Sequence, residues 1–317
     1  MPKYDSSDAR RFDAAFKIEE NRLRMKSISK RKVTLVLALL ALILLIIYVV
    51  MQILTVRGTF APMRSASEAG GAAVVAGIAE HRVAGRVYLS GSARPEAPLI
   101  VVLHGDAPTR KPSYQYDFAS QVADAAPGTR VVALLRPGYA DPFGGRSDGD
   151  RGLFSAGENY TPDVVHSLAE AIRELKVRWS APSVILVGHS GGAVLTADIA
   201  ALNPGLVQQA YLISCPCDVP AFRRHMAHLQ RSPVWMLPVN SLSPLQTLNR
   251  MKTDVKVTAI SGANDPLALP EYAKAYVAQA QAQGIPASML LIPDKGHEIL
   301  LMPDVAHEVA RAAQTGH

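Results

Sequence analysis

The sequence predicts an α/β fold, with a mostly parallel central sheet, helices on both faces and one transmembrane helix ahead of it. Three observations point there. From about residue 83, short Val/Ile/Leu-rich runs alternate with longer stretches of helical spacing. The runs are apolar throughout rather than alternating, the pattern of strands covered on both faces. Near the N-terminus, the 24 residues Val33–Val56 carry no charge. The chain has 317 residues, 49% hydrophobic and 19% charged, with only 2 Cys. Disorder and a disulfide-stapled mini-protein are excluded, and there is room for one large domain.

Val33–Val56 (VTLVLALLALILLIIYVVMQILTV) would form a helix about 36 Å long, enough to cross about 30 Å of hydrocarbon with some tilt. It is too long for the apolar core of a cleavable signal, which spans about 7–15 residues. Lys26, Lys30, Arg31 and Lys32 precede it, against Arg57 and Arg64 after it. Positive-inside bias therefore expects residues 1–32 to be a basic cytoplasmic tail and the following domain to be extracytoplasmic, or periplasmic in a Gram-negative bacterium. The formal charge is +6, and residues 1–32 supply +5 of it, with ten Lys/Arg and five Asp/Glu. The remainder is near neutral and shows no basic stripe for nucleic acid. Arg10–Lys32 reads as a solvated tail carrying the topogenic charge, a basic membrane-surface helix being the alternative. Residues 57–73, small and rich in Gly and Pro, suit a tether, leaving 74–317 as the folded domain.

Along that domain, Arg86–Gly91 and Leu99–Gly105 are short β-rich runs ending in Gly, and Ser113–Ala126 has helical length. Thr129–Arg136 is a further strand, followed by a Pro/Gly-rich loop over 137–157. Thr161 and Pro162 form a helix start with Asp163 in the first turn. Behind them Val164, Val165, Leu168, Ile172 and Leu175 share one helix face through Trp179. Ser183–Gly188 is the clearest buried strand, and Ala193–Ala201 is helical. Gln209–Ser214, Val255–Ser261 and Ala287–Ile292 are strands, while Glu271–Gln283 and Pro303–Ala313 are helices. Ligands of such sheets bind beyond the carboxyl ends of the strands, which singles out the loops there.

The first of these loops is Gly188-His189-Ser190-Gly191-Gly192, between the strongest strand and a helix. A serine hydroxyl becomes nucleophilic when exposed beside a base. A tight strand-to-helix turn lifts it above the sheet, and flanking glycines remove Cβ atoms that would collide. The helix start also directs N–H groups at developing negative charge. With a strand before it and a helix after it, the motif resembles the nucleophile elbow of the α/β-hydrolase family, and the likeness runs over roughly residues 83–315.

The resemblance implies a nucleophile, an acid and a histidine in that chain order. Ser190 takes the first place, with Gly188, His189 and Gly192 completing the elbow. His297, in Asp294-Lys295-Gly296-His297-Glu298 just past the last strand, takes the place of the base. His307 falls mid-helix and His317 is terminal. Asp265, in Ser261-Gly262-Ala263-Asn264-Asp265-Pro266, matches the family's acid turn, with Asp218 as a rival and Asp254 at the wrong strand end. The oxyanion donors are expected to be the N–H groups of Gly191 and of Asp106, in the loop His104-Gly105-Asp106-Ala107. The Asp106 carboxylate could also face the pocket. His104 reads as a side chain bracing the loop, His189 as a packing residue beside the elbow, and Arg136, in Arg136-Pro137-Gly138-Tyr139, as a structural ion-pair partner.

Between the sixth strand and the next lies an insertion, about 217–253, which in this family forms a cap. Its apolar content suggests a greasy or acyl substrate portion. It reads as packing on its own core, with a membrane-dipping tip at Trp235, Met236 and Leu237 as the alternative. His225 and His228 lack the further ligands of a metal site. Cys215 and Cys217 could close a small disulfide in an oxidising compartment or stay as buried thiols. The expected activity is a membrane-anchored serine hydrolase with no metal or organic cofactor. It would act on a small-molecule or lipid-like acyl substrate, a carboxylic ester first, then a thioester, amide or peptide. A catalytically silent binding protein of the same fold is the alternative.

Overall fold

A computed structural model of the chain describes residues 6–58 and 70–315. Two compact units are present, Met1–Ile53 and Leu54–His317. The first is dominated by helix α1, Ser6–Gly58. The basic stretch expected as a tail is helical here. It is built of good helix formers, with Asp13–Lys17 and Glu19–Arg22 pairing at helical spacing. Further along, Leu35–Leu45 leave large apolar side chains exposed, and the helix is long and apolar enough to cross a membrane.

The second unit holds an eight-stranded sheet: β1 (Ala72–Ala76), β2 (Val83–Tyr88), β3 (Leu99–Leu103), β4 (Val131–Leu134), β5 (Val184–His189), β6 (Gln209–Ile213), β7 (Lys256–Gly262) and β8 (Ala287–Ile292). Their spatial order is β1-β2-β4-β3-β5-β6-β7-β8. β1 and β2 run antiparallel at one edge, and every pairing from β4 through β8 is parallel. Strand β1 was not foreseen. It begins at Ala72, so the tether read as residues 57–73 gives way two residues early, and residues 59–69 lie outside the described residues.

Helices α2 (Tyr114–Ala125) and α8 (Pro303–Thr315) cover one face, over Ile100, Val102, Ile185 and Val187. Helices α3 (Pro162–Arg178), α4 (Gly191–Leu202) and α7 (Pro270–Ala282) cover the other, over Leu99, Val101, Leu103 and Leu186. The alternation of Leu99–Leu103 between these two cores is the period of two of a strand, applied to a run apolar on both sides. Helix α3 starts where its cap signature indicates, the Thr161 side chain accepting from the Val164 N–H. The expected face of Val164, Val165, Leu168, Ile172 and Leu175 is buried.

Between β6 and β7 the insertion folds as α5 (Val219–Gln230), a turn at Pro233–Met236, and α6 (Pro244–Thr247) running into a turn at Leu248–Arg250. Asp218, the rival acid, serves instead as N-cap of α5, accepting from the Ala221 N–H at 3.0 Å. Trp235 is buried at 1% exposure, edge-on to Phe222 at 5.7 Å, so it is not a tip; Met236 and Leu237 are exposed. Cys215 and Cys217 are joined by a disulfide.

The Leu168 side chain is fully buried whereas Val177 on the same helix is 73% exposed. Leu168→Ala is expected to lower the unfolding free energy of the domain by about 2–5 kcal/mol in urea titrations. Val177→Ala is expected to change it by less than about 0.5 kcal/mol.

Candidate active site

The carboxyl ends of β3, β5, β6, β7 and β8 bring five loops together. After β5 the chain turns into α4 at Ser190, whose backbone has φ 53° and ψ −119°. That region is costly for any residue with a Cβ and persists only where the surroundings impose it. Here the surroundings are backbone. A Cβ at Gly188 would sit 2.1 Å from the Gly192 carbonyl oxygen, and one at Gly192 would sit 2.4 Å from that of Leu103. The Ser190 N–H is tied to the Ile213 carbonyl at the end of β6.

Loops after β7 and β8 are sewn together by backbone bonds, Ala263 N–H to Ile292 and Asn264 N–H to Lys295. Gly262 permits it, since a Cβ there would meet the Gly296 carbonyl oxygen at 2.2 Å. The result is a buried chain of side chains. His297 Nδ1–H donates to Asp265 Oδ2 at 2.8 Å, and the Ser190 hydroxyl donates to His297 Nε2 at 2.9 Å. The second Asp265 oxygen accepts from the N–H groups of Leu267 and Ala268. Burial pulls the His297 pKa down, but the hydrogen bond and charge of Asp265, with Glu298 and Asp106 behind it, outweigh burial and leave it above the usual histidine value.

The other two buried histidines are pushed the opposite way, each to about 3, chiefly by burial. Both are neutral, and their partners set the tautomers. His104 donates from Nδ1 to the Gly105 carbonyl and accepts the Arg136 N–H at Nε2. His189 donates from Nε2 to the His297 carbonyl at 3.2 Å and accepts at Nδ1 from Tyr114, whose oxygen takes the Gly105 N–H. The Ser214 hydroxyl also holds the His297 carbonyl, at 2.8 Å. His104 braces its loop as read, and His189, read as a packing residue, is also tied by hydrogen bonds on both ring nitrogens. Tyr114 and Ser214 were not singled out by sequence, and no local pattern marks them.

Loop 104–107 lies against the elbow, a Cβ at Gly105 reaching 3.0 Å from that of Ser190. The Asp106 carboxylate does not face open space. Its Oδ1 takes Arg136 Nη1 at 2.8 Å, and its Oδ2 takes the Tyr160 hydroxyl and the Gly157 N–H, both at 2.7 Å. Arg136 is fully buried as the expected ion-pair partner, stacked near Tyr139 and Tyr160. Asp106 Oδ1 and the Tyr160 hydroxyl crowd Gly191, leaving 2.5 and 2.7 Å for a Cβ there. His225 donates to the Pro266 carbonyl, and no metal-binding cluster is found among the described residues.

Residues 100–312 match the model of the alpha/beta hydrolase family. The chain belongs to that family. Solved α/β-hydrolase structures with this fold include Est1E from Butyrivibrio proteoclasticus, at 12% identity and TM-score 0.55, covering 77% of this chain and 99% of that one. Proline iminopeptidase from Mycobacterium smegmatis is similar at 14% identity and TM-score 0.53, with coverage of 76% and 100%. An esterase from the archaeon Pyrobaculum calidifontis is similar at 14% identity and TM-score 0.57, with coverage of 83% and 87%. At these identities the likeness is one of fold. No curated protein matches the chain.

Removing one member of a buried ion pair strands the other charge. Arg136→Met is expected to destabilise this α/β-hydrolase domain by about 3–5 kcal/mol. Adding Asp106→Asn should recover part of that loss, as read from paired chemical denaturation curves.

Proposed function

We propose that the protein is a membrane-anchored serine hydrolase that cleaves an ester, thioester or amide through a covalent acyl-enzyme. The buried Ser190–His297–Asp265 hydrogen-bonded chain is the observation that carries this reading. Ser190 Oγ attacks the substrate carbonyl while its proton passes to His297 Nε2. Asp265 holds the imidazole in the Nδ1–H tautomer and stabilises the imidazolium. The tetrahedral oxyanion is met by the N–H groups of Gly191, at the start of α4, and of Asp106. As the tetrahedral centre collapses, the C–O, C–S or C–N bond breaks and the leaving group departs with the His297 proton. Water, deprotonated by the same nitrogen, then releases the acid and restores the serine.

Ester cleavage stands first, since one of the three solved relatives named above, from Pyrobaculum calidifontis, is described as an esterase. The apolar cap suits an acyl portion. Val33–Val56 would be the span, with residues 1–32 cytoplasmic and the catalytic domain outside. The Cys215–Cys217 disulfide agrees with an oxidising compartment.

A fluorophosphonate probe is expected to label the full-length wild type and to leave Ser190→Ala unlabelled, with ester turnover falling by at least about 10³-fold. Folded wild type that resists labelling would favour the silent binding protein. The raised His297 pKa gives the sign of the pH dependence: the imidazole accepts the serine proton only when neutral, so activity falls as pH drops through that pKa. The acid limb of kcat/KM should therefore lie above pH about 6.5. In Asp265→Asn it should move to lower pH, with a large loss of kcat.

A further inference from the structure

Arg223, on α5 of the cap, is buried and spans two elements. Its Nη1 donates to the Gly157 carbonyl at 2.8 Å and its Nη2 to the Leu237 carbonyl at 3.0 Å, with the guanidinium over the Trp235 ring at 5.6 Å. Gly157 is held from its other side as well, its N–H donating to Asp106 Oδ2. One residue, through the two peptide groups that flank its Cα, thus joins the cap to the loop that carries the Asp106 N–H. The cap also closes on this residue by contact. Gly157 has φ 62°, and a Cβ there would sit 2.7 Å from Trp235 Cζ3 and 3.1 Å from Phe222 Cε1. The loop around it is tightly set, the Glu158 carboxylate taking the N–H groups of Phe154 and Ser155.

We propose that Arg223 is a positioning residue that couples closure of the cap to the oxyanion loop through Gly157 and Asp106. With the cap seated, Arg223 and the Trp235 edge fix Gly157, and Gly157 helps fix the Asp106 carboxylate. Asp106 then has a carboxylate oxygen for Arg136 and another shared by Tyr160 and Gly157, so its peptide cannot turn. When the cap lifts, Arg223 leaves the Gly157 carbonyl, and the loop loses that restraint. The oxyanion donors are then fully organised only with the cap closed and water excluded. The inference rests on the hydrolase reading for its catalytic consequence but not for the coupling itself.

The test uses the full-length protein and the variants Arg223→Met, Asp106→Asn and their combination. Hydrogen exchange reads the coupling without any turnover. In Arg223→Met, amides of residues 105–107 should exchange faster, as should 154–158, while β5 stays at the wild-type rate. Faster exchange confined to the cap, with 105–107 unchanged, would overturn the proposal.

Kinetics give the second arm. Arg223→Met should lower kcat for a short ester about ten- to hundredfold with KM little changed, as expected when a donor is misplaced rather than substrate binding lost. In Asp106→Asn the single amide oxygen stays with Arg136 and the NH₂ faces the Gly157 N–H, cutting the link at its far end. The double variant should therefore lose little more than the worse single variant, whereas multiplied losses would show that Arg223 acts independently. If the wild type neither labels nor turns over, the hydrolase reading fails while exchange still decides the coupling.

Discussion

The site depends on one backbone constraint: a serine held at positive φ between a strand and a helix, with no Cβ two positions to either side. Gly188 approaches the Gly192 carbonyl so closely that the turn exists only because Gly188 lacks a side chain. Gly192 in turn lets the elbow sit against the Leu103 and His104 carbonyls. The same contact that clears space for the serine therefore brings the end of β3 beside it. Strain at one residue is met by the parallel pairing of β5 with β3 and β6, which leaves the strand ends little freedom to relax.

Three buried histidines around this turn differ only in their partners, and that decides their charge. His104 and His189 exchange hydrogen bonds with peptide groups and a tyrosine, which satisfy neutral imidazole but give an imidazolium no counter-charge against its burial. His297 faces a carboxylate that is itself pinned by two peptide N–H groups. Burial alone would depress all of them. The Asp265 charge reverses the direction for one, so a single ring near the serine can take up a proton. His189 still contributes, since it and Ser214 hold the His297 carbonyl and so set where the ring stands.

Most of the fold was legible because its signals are local. Continuous apolar runs marked the strands, and Thr161-Pro162 marked the start of α3. Strand β1 was missed because Ala72–Ala76 is small, half exposed and flanked by glycines, which reads as tether. Ser190, Asp265 and His297 could be placed by their loops and chain order. What surrounds Asp106 could not: its partners Arg136, Gly157 and Tyr160 lie 30, 51 and 54 residues away. Sequence favoured a cap packed on its own core over a tip at Trp235, Met236 and Leu237, but the residues that cover Trp235, namely Phe222, Arg223 and Gly157, are contacts that adjacent sequence does not reveal. Asp218 carried a readable sign, since an acid two positions before Pro220 is a helix-start pattern, and it proved to be the cap of α5.

The insertion is bound to the rest of the domain through residues that also shape the site. Its Leu242 N–H meets the Tyr160 carbonyl, and Thr247 donates to buried Asp198 on α4, the helix that begins at the elbow. At its entrance the Cys215–Cys217 disulfide follows directly on Ser214, whose hydroxyl holds His297. A cap attached at such points is not a separate cover laid over a finished centre. Tyr160 gives its carbonyl to the insertion and its hydroxyl to Asp106, so displacing the insertion acts on the same side chains that order loop 104–107. The polar residues buried beneath it have exchanged water for these bonds, and the loss of any one would expose an unpaired group at a cost of about 1–3 kcal/mol. That cost favours one seated arrangement of the cap, in which the cover and the loop beneath it are ordered together.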